Sequence, residues 1–166
     1  KKMDKAAEQA AKVEGAKVEQ VTDNNGLQAV KVTFDSGILF NTGSSTLSNS
    51  AQASLSKFTN NVLKQNPTMD VAVYGYTDNV GWKNSTAEQS AQKNKDLSQS
   101  RAQSVASYML SCGAASSQIK SVEGYGEANP VSDNSTAAGR EQNRRVEVYM
   151  YASQQMIQQA EAGTLQ

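Results

Sequence analysis

Apolar residues recur along this chain with two different periods, and the changes between the periods divide it into secondary-structure elements. Over residues 30–34 they alternate with polar residues, which is the period of a β-strand. From Leu47 they recur at spacings of four and three, which marks one face of a helix that ends before Pro67. Alternation returns over residues 69–77 and predicts the next strand.

The rest of the chain continues this succession. A helical stripe connects Leu97 to Cys112, and residues 119–122 and 146–151 predict two further strands. Residues 14–34 predict two strands around an Asn-Gly pair, which supplies the positive φ of a tight turn. The main elements follow the order strand, helix, strand, helix, strand, strand. We therefore predict an α+β fold, a two-layer α/β sandwich with a mixed sheet and helices on one face.

These patterns divide the chain into three segments. Residues 1–14 are rich in alanine and charge and predict a helical lead-in or linker, residues 15–151 form one domain, and residues 152–166 form a polar tail compatible with a loose helix. The sequence contains no run of about 18 apolar residues and no signal-peptide pattern at its start, so it predicts no membrane span and no leader within these residues.

The composition excludes several kinds of chemistry. Lysine plus arginine and aspartate plus glutamate each number 16, and this balance argues against the broad basic surface of a nucleic-acid binder. Histidine is absent and Cys112 is the sole cysteine, so histidine triads, internal disulfides and cysteine-rich metal sites are excluded. A P-loop motif is also absent. We predict no metal and no cofactor, and we expect Cys112 to be a small buried side chain.

Two charged residues stand out because they lie at predicted element edges. Asp78 follows a strand, where turn chemistry is the simplest explanation for an aspartate. Arg101 falls in an otherwise apolar stripe and in the first turn of its helix if Ser98 or Asp96 is the cap, where a cation is disfavoured. Two interpretations remain open for Arg101: a structural salt bridge to Asp78 or Glu123, or an anion site shared with the free N–H groups of the helix start.

Four motifs containing these residues follow one another in the chain: T-D-x-x-G at 77–81, N-x-x-L-S-x-x-R-A-x-x-V at 94–105, G-x-G-E-x-x-P at 124–130, and G-R-x-x-N-R-R-V-E at 139–147. In this order they resemble the OmpA C-terminal-like family, also found in Pal lipoproteins and flagellar motor stators. The resemblance covers about residues 30–151, and residues 34–47 resemble the first strand and loop of the family.

The resemblance implies the same two-layer sandwich and a non-catalytic role. It implies binding of peptidoglycan through the diaminopimelate of its stem peptide, in the periplasm and in association with the outer membrane, with a lipid anchor or signal upstream of Lys1. It also implies the ligand-binding residues: Asp78, Arg101, Asn94, Leu97, Thr77 and Phe34. A carboxylate would meet the ligand's ammonium and a guanidinium its carboxylate, and each charge-assisted contact contributes about 1.5–3 kcal/mol.

Two other functions stay open on the residues alone. Segment 82–93 is polar, lacks periodicity and is longer than the family has here, so we interpret it as an insertion. Its Trp82 is either an exposed stacking surface for a sugar or a packed side chain, and it motivates a protein–protein docking module. A wall-glycan hydrolase needs two carboxylates, but the spacing of the acidic residues identifies no pair.

Overall fold

A five-stranded sheet runs through the computed structural model, which describes residues 2–22, 27–41 and 43–153. The helices are α1 (Lys2–Ala11), α2 (Ser36–Leu39), α3 (Asn49–Phe58), α4 (Ala87–Ser111) and α5 (Ala137–Asn143). The strands are β1 (Ala16–Thr22), β2 (Gln28–Asp35), β3 (Met69–Tyr76), β4 (Ile119–Gly124) and β5 (Arg145–Ala152). Across the sheet their order is β1-β2-β5-β3-β4.

The sheet is mixed, as predicted. Strands β1 and β2 form an antiparallel pair, and β5 lies antiparallel between β2 and β3, so that Val148 faces Val32 on one side and Val73 on the other. Strands β3 and β4 are parallel, with α4 as the connection between them. The α+β class and the mixed sheet are confirmed, and the two strands predicted within residues 14–34 are β1 and β2. The structure adds α5 between the last two strands.

The hydrophobic core lies between the sheet and the helices on one of its faces. Apolar positions of β2, β3 and β5 are fully buried there against α3 and α4. Phe34 of β2 meets Phe58 of α3 edge to face, with ring centroids 5.7 Å apart. Burial of each such large side chain contributes about 1.5–3 kcal/mol. The apolar residues that alternate along the sequence therefore form the buried face of the sheet.

Helix α1 belongs to this core. Its Met3, Ala6 and Ala10 pack into the same cluster as the sheet, and Val13 follows them. A helix therefore lies where the sequence predicts a lead-in, and it packs against the domain. The three-part division of the chain remains a prediction, because the turn at 23–26 and the tail from residue 154 lie outside the described residues.

The start of α4 corrects the sequence-based prediction. Thr86 caps the helix: its hydroxyl accepts from Gln89 N at 3.1 Å, and Gln89 Oε1 accepts from Thr86 N at 2.9 Å. Helix α4 thus begins at Ala87 rather than near Ser98. The first turns are mostly solvated and have no apolar stripe, so periodicity missed them, although the T-x-x-Q capping pattern was present in the sequence.

Two glycines let α4 lie directly on the sheet. A Cβ at Gly75 of β3 would lie 2.2 Å from Ser98 O, and one at Gly124 of β4 would lie 2.2 Å from Gln99 N. Glycine is the only residue that permits backbones to approach so closely. This contact fixes the height of α4 over the sheet, and with it the position of the side chains that follow Ser98.

Candidate functional site

A cavity of about 670 Å³ opens where β3 ends, between α2, the middle of α4 and the residue that follows α5. Five of the six predicted ligand-binding residues line it, two from the loop after β3 and three from α4: Thr77, Asp78, Asn94, Leu97 and Arg101. Phe34 does not. It is 1% exposed in the core beneath, whereas Phe40, a few residues further along the chain, lines the cavity.

Asp78 is held by turn chemistry and by an ion pair together. Its Oδ1 accepts from Val80 N at 3.1 Å, and its Oδ2 accepts from the Arg144 guanidinium at 2.5 Å. The preceding Thr77 anchors the turn, since its N donates to Gly126 O at 2.7 Å and its hydroxyl to Asp78 O at 2.8 Å. The carboxylate is therefore buried, oriented and at the cavity wall.

Arg101 lies about four turns into α4, so the free N–H groups of the helix start are not next to it. The predicted anion site at a helix N-terminus was wrong for this reason. Its Nε donates to Ser44 O at 2.8 Å and its Nη2 to Asn41 O at 3.3 Å. The guanidinium carbon lies 5.0 Å from the centroid of the Phe40 ring, within range of a cation–π interaction.

No carboxylate in the described part of the chain forms a salt bridge with Arg101, although the side chain is only 4% exposed. The structural salt bridge to Asp78 or Glu123 was therefore wrong as well. Burial lowers the pKa of Arg101, the charge of Arg144 lowers it further, and Asp78 acts in the opposite direction. The surroundings of this guanidinium are short of negative charge, and a bound anion would supply it.

Arg144 is a site residue that our sequence analysis did not select. It lines the cavity and pairs with Asp78, and its carbonyl accepts from Ser36 N at 2.9 Å at the start of α2. The sequence contained one signal for it, its place in the G-R-x-x-N-R-R-V-E motif. The next residue of the same motif, Arg145, has a structural partner instead: its Nε donates to Glu147 Oε2 at 2.6 Å.

Asn94 and Trp82 join the loop after β3 to α4. Trp82 Nε1 donates to Asn94 Oδ1 at 2.8 Å, Asn94 Nδ2 donates to Val80 O at 3.2 Å, and Trp82 N donates to Ser90 Oγ at 2.8 Å. Segment 82–93 is therefore a turn followed by the first helical turns of α4. Trp82 is both packed and exposed: its N–H is satisfied, and its ring lines the cavity with 37% of the residue exposed.

The charges around the cavity are unequal. Its lining contains one carboxylate, Asp78, and three cations, Arg101, Arg144 and Lys83. Such a site suits a ligand that carries more carboxylates than ammonium groups. Within the described residues no cluster of three or more histidine, cysteine, aspartate or glutamate side chains could hold a metal ion.

Comparison with known proteins gives a consistent result. The OmpA family matches residues 39–144 of this chain. The chain is 42% identical over 119 residues to the probable lipoprotein YiaD of Escherichia coli, which covers 70% of this chain and 46% of the relative. It is 35% identical over 121 residues to motility protein B of Bacillus subtilis, covering 73% of this chain and 44% of that protein. The chain thus spans less than half the length of either relative.

Solved structures share the fold. The cell wall anchor of the T6SS from Pseudomonas aeruginosa superposes with a TM-score of 0.70 at 27% identity, covering 91% of this chain and 97% of that one. Among the described residues, none of the helices is both long enough and apolar enough to cross a membrane.

Proposed function

This chain belongs to the OmpA family, and we propose that it is a non-catalytic peptidoglycan-binding domain that grips diaminopimelate in the stem peptide. The observation that carries the proposal is the buried guanidinium of Arg101, which has no carboxylate partner in the described chain and lines a cavity together with Asp78. A buried unpaired charge is costly, and a ligand carboxylate is the group that would compensate it.

The free end of diaminopimelate carries an ammonium and a carboxylate on one carbon. The carboxylate would lie against Arg101, whose fork of donors is only partly used by Ser44 and Asn41. The ammonium would lie against Asp78, which Arg144 and Val80 N already hold in place. Because Asp78 is oriented before the ligand arrives, less ordering is needed on binding.

Anchoring is the role that such a site supports best. Two charge-assisted contacts make a weak single site, but a wall polymer offers many equivalent sites to a tethered protein, so effective concentration strengthens the attachment. One relative is named a lipoprotein and a structural neighbour a cell wall anchor. We therefore place this chain in the periplasm, holding the outer membrane or an envelope protein to the wall.

The same cavity argues against hydrolysis of the wall. Glycoside hydrolysis uses two carboxylic acids on either side of the bond that is cleaved. Among the described residues lining the cavity, Asp78 is the one carboxylic acid, and it is engaged by Arg144. Incubation of wall sacculi with the domain should therefore release no soluble muropeptides above the level of a buffer control.

Binding to purified diaminopimelate-type sacculi tests the proposal. Asp78→Asn keeps the side-chain size, Arg101→Gln keeps a polar side chain that can still donate, and each removes one charge. Each should weaken binding about tenfold or more, since about 1.4 kcal/mol is tenfold. Arg140→Gln is the matched control, because Arg140 donates to Asn134 O outside the cavity. Equal binding by the parent, Arg101→Gln and Asp78→Asn would overturn the proposal.

Ligand chemistry provides a second test of the same site. Lysine keeps the ammonium of diaminopimelate and lacks the adjacent carboxylate, so a lysine-type peptide would leave Arg101 buried and uncompensated. We expect about a tenfold or greater preference for diaminopimelate-type peptides in a calorimetric titration. Equal affinities for both peptide types would mean that Arg101 has a structural role only.

A further inference from the structure

We propose that Lys83 and Trp82 form a second subsite on this cavity, which takes another carboxylate of the stem peptide beside the diaminopimelate. This inference rests on the proposed function and extends it to the neighbouring part of the ligand. Lys83 lines the cavity as an exposed cation, and no salt bridge to it occurs in the described chain.

The backbone around Lys83 is fixed on both sides. On one side, Trp82 N donates to Ser90 Oγ at 2.8 Å, and the Trp82 ring is tied to Asn94 through its N–H. On the other side, Asn84 adopts a left-handed conformation with φ of 59°, and Ser85 N closes the turn by donating to Trp82 O at 3.2 Å. A residue held in such a turn presents its side chain from a defined position.

Charge makes a carboxylate the expected occupant. Arg144 is matched by Asp78, and a diaminopimelate carboxylate would match Arg101, whereas the ligand's ammonium would share Asp78. Lys83 is then the cation of the lining that remains without an opposite charge. The neighbouring Trp82 also lines the cavity, and because its N–H is already satisfied by Asn94, its ring adds an apolar surface to the same part of the wall.

The stem peptide has two carboxylates of this kind near diaminopimelate. One is the α-carboxylate of the γ-linked glutamate that precedes it, and the other is the carboxylate at the carboxyl end of the peptide. Both have the same chemistry, and both lie within one residue of diaminopimelate along the peptide. Amidating them one at a time distinguishes the two sources.

The experiment is a calorimetric titration of the full 166-residue chain with a diaminopimelate tripeptide, unmodified, amidated at glutamate, or amidated at its carboxyl end. We expect one of the two amidations to weaken binding by the parent about two- to fivefold, as for a partly exposed ion pair, and to leave binding by Lys83→Gln unchanged. Lys95→Gln, an exposed lysine on α4 that does not line the cavity, should behave as the parent does.

The outcomes separate the two proposals. Equal sensitivity of Lys83→Gln and the parent to amidation, or a parent that is indifferent to both amidations, would overturn the Lys83 subsite and leave the grip of Arg101 and Asp78 standing. A parent that does not bind the unmodified tripeptide, or that binds it no better than Arg101→Gln does, would overturn both.

Discussion

Arg145 and Arg101 are both almost fully buried, at 3% and 4% exposure, yet their surroundings differ in one respect. Arg145 has a carboxylate partner at 2.6 Å in Glu147, two backbone carbonyls at 2.9 and 3.0 Å, and the Tyr76 ring 3.9 Å from its guanidinium carbon. Arg101 has two backbone carbonyls and the Phe40 ring, but no salt bridge in the described chain.

This difference separates a structural arginine from the arginine that we propose binds the ligand. The protein itself satisfies Arg145, whose guanidinium lies against the Tyr76 ring. Tyr76 belongs to a group of five tyrosines in ring contact: Tyr74, Tyr76, Tyr125, Tyr149 and Tyr151. Arg101, by contrast, has no carboxylate partner in the described chain and lies at the wall of a cavity. A buried charge that lacks its partner within the fold is expected at a place where a ligand supplies that partner.

The largest effect is expected from breaking the structural pair. Glu147→Met removes the carboxylate and leaves Arg145 buried without an opposite charge, which should lower the free energy of unfolding by about 3–5 kcal/mol. Urea denaturation followed by circular dichroism measures this loss. Lys31→Met is the control, because the Lys31 ammonium also lies near Glu147, at 3.6 Å, but is more exposed than Arg145. This variant should lower the free energy of unfolding by less than about 1 kcal/mol. Similar losses in both variants would contradict the assignment.

Tyr149, which donates a hydrogen bond to Glu147, should make the stability of the fold depend on pH. The Tyr149 hydroxyl donates to Glu147 Oε1 at 2.7 Å, and burial, then the hydrogen bond and charge of Glu147, raise the pKa of Tyr149 above its usual value near 10. The neutral phenol is thus favoured in the folded state. Its contribution to stability is complete below about pH 10 and is lost as the pH rises beyond that value.

Tyr149→Phe tests this linkage. We expect a loss of about 1–2 kcal/mol near neutral pH, since the phenol is only half buried, and a shallower fall in stability above about pH 10. Urea midpoints measured at several pH values between neutral and strongly alkaline would show both effects. Parallel curves for the parent and Tyr149→Phe would show that this hydroxyl does not carry the pH dependence.

Arg101 should behave in the opposite way to the structural pair. Arg101→Met removes a buried cation that has no carboxylate partner in the described chain. The carbonyls it frees belong to Asn41, which is exposed, and Ser44, which is half-buried, so water can replace the lost donors. The free energy of unfolding should therefore stay within about 1 kcal/mol of the parent. A loss as large as that of Glu147→Met would mean that Arg101 is a structural residue.

The smallest effect is expected at the cavity wall, from a substitution of Trp82. Trp82→Phe keeps an aromatic ring but removes the donor to Asn94, so the loop after β3 loses one of its ties to α4. Wall-peptide affinity should fall by about 0.5–1 kcal/mol, while stability changes by a few tenths. Calorimetric titration beside a urea denaturation series distinguishes the two, and an unchanged affinity would show that this hydrogen bond does not position Asn94 for binding.

The sequence predicted more of the fold than of the charge partners. Alternation located β3 and β5 because strand periodicity is a local property, and the motifs selected five side chains that share the cavity. The beginning of α4 escaped because a solvated helix leaves no apolar stripe. Phe34 was selected for the site, but it lies in the core, where the alternation of β2 had already placed it.

Local patterns were thus sufficient for the strands, for the buried helix faces and for the identity of Asp78 and Arg101. Long-range contacts determined what those charges do. Arg144 meets Asp78 from 66 positions away, and Arg101 meets the carbonyl of Ser44 across 57. Such pairs depend on how α4 and the loops meet the end of the sheet, and charge, unlike apolar periodicity, has no repeat along the chain that would reveal its partner.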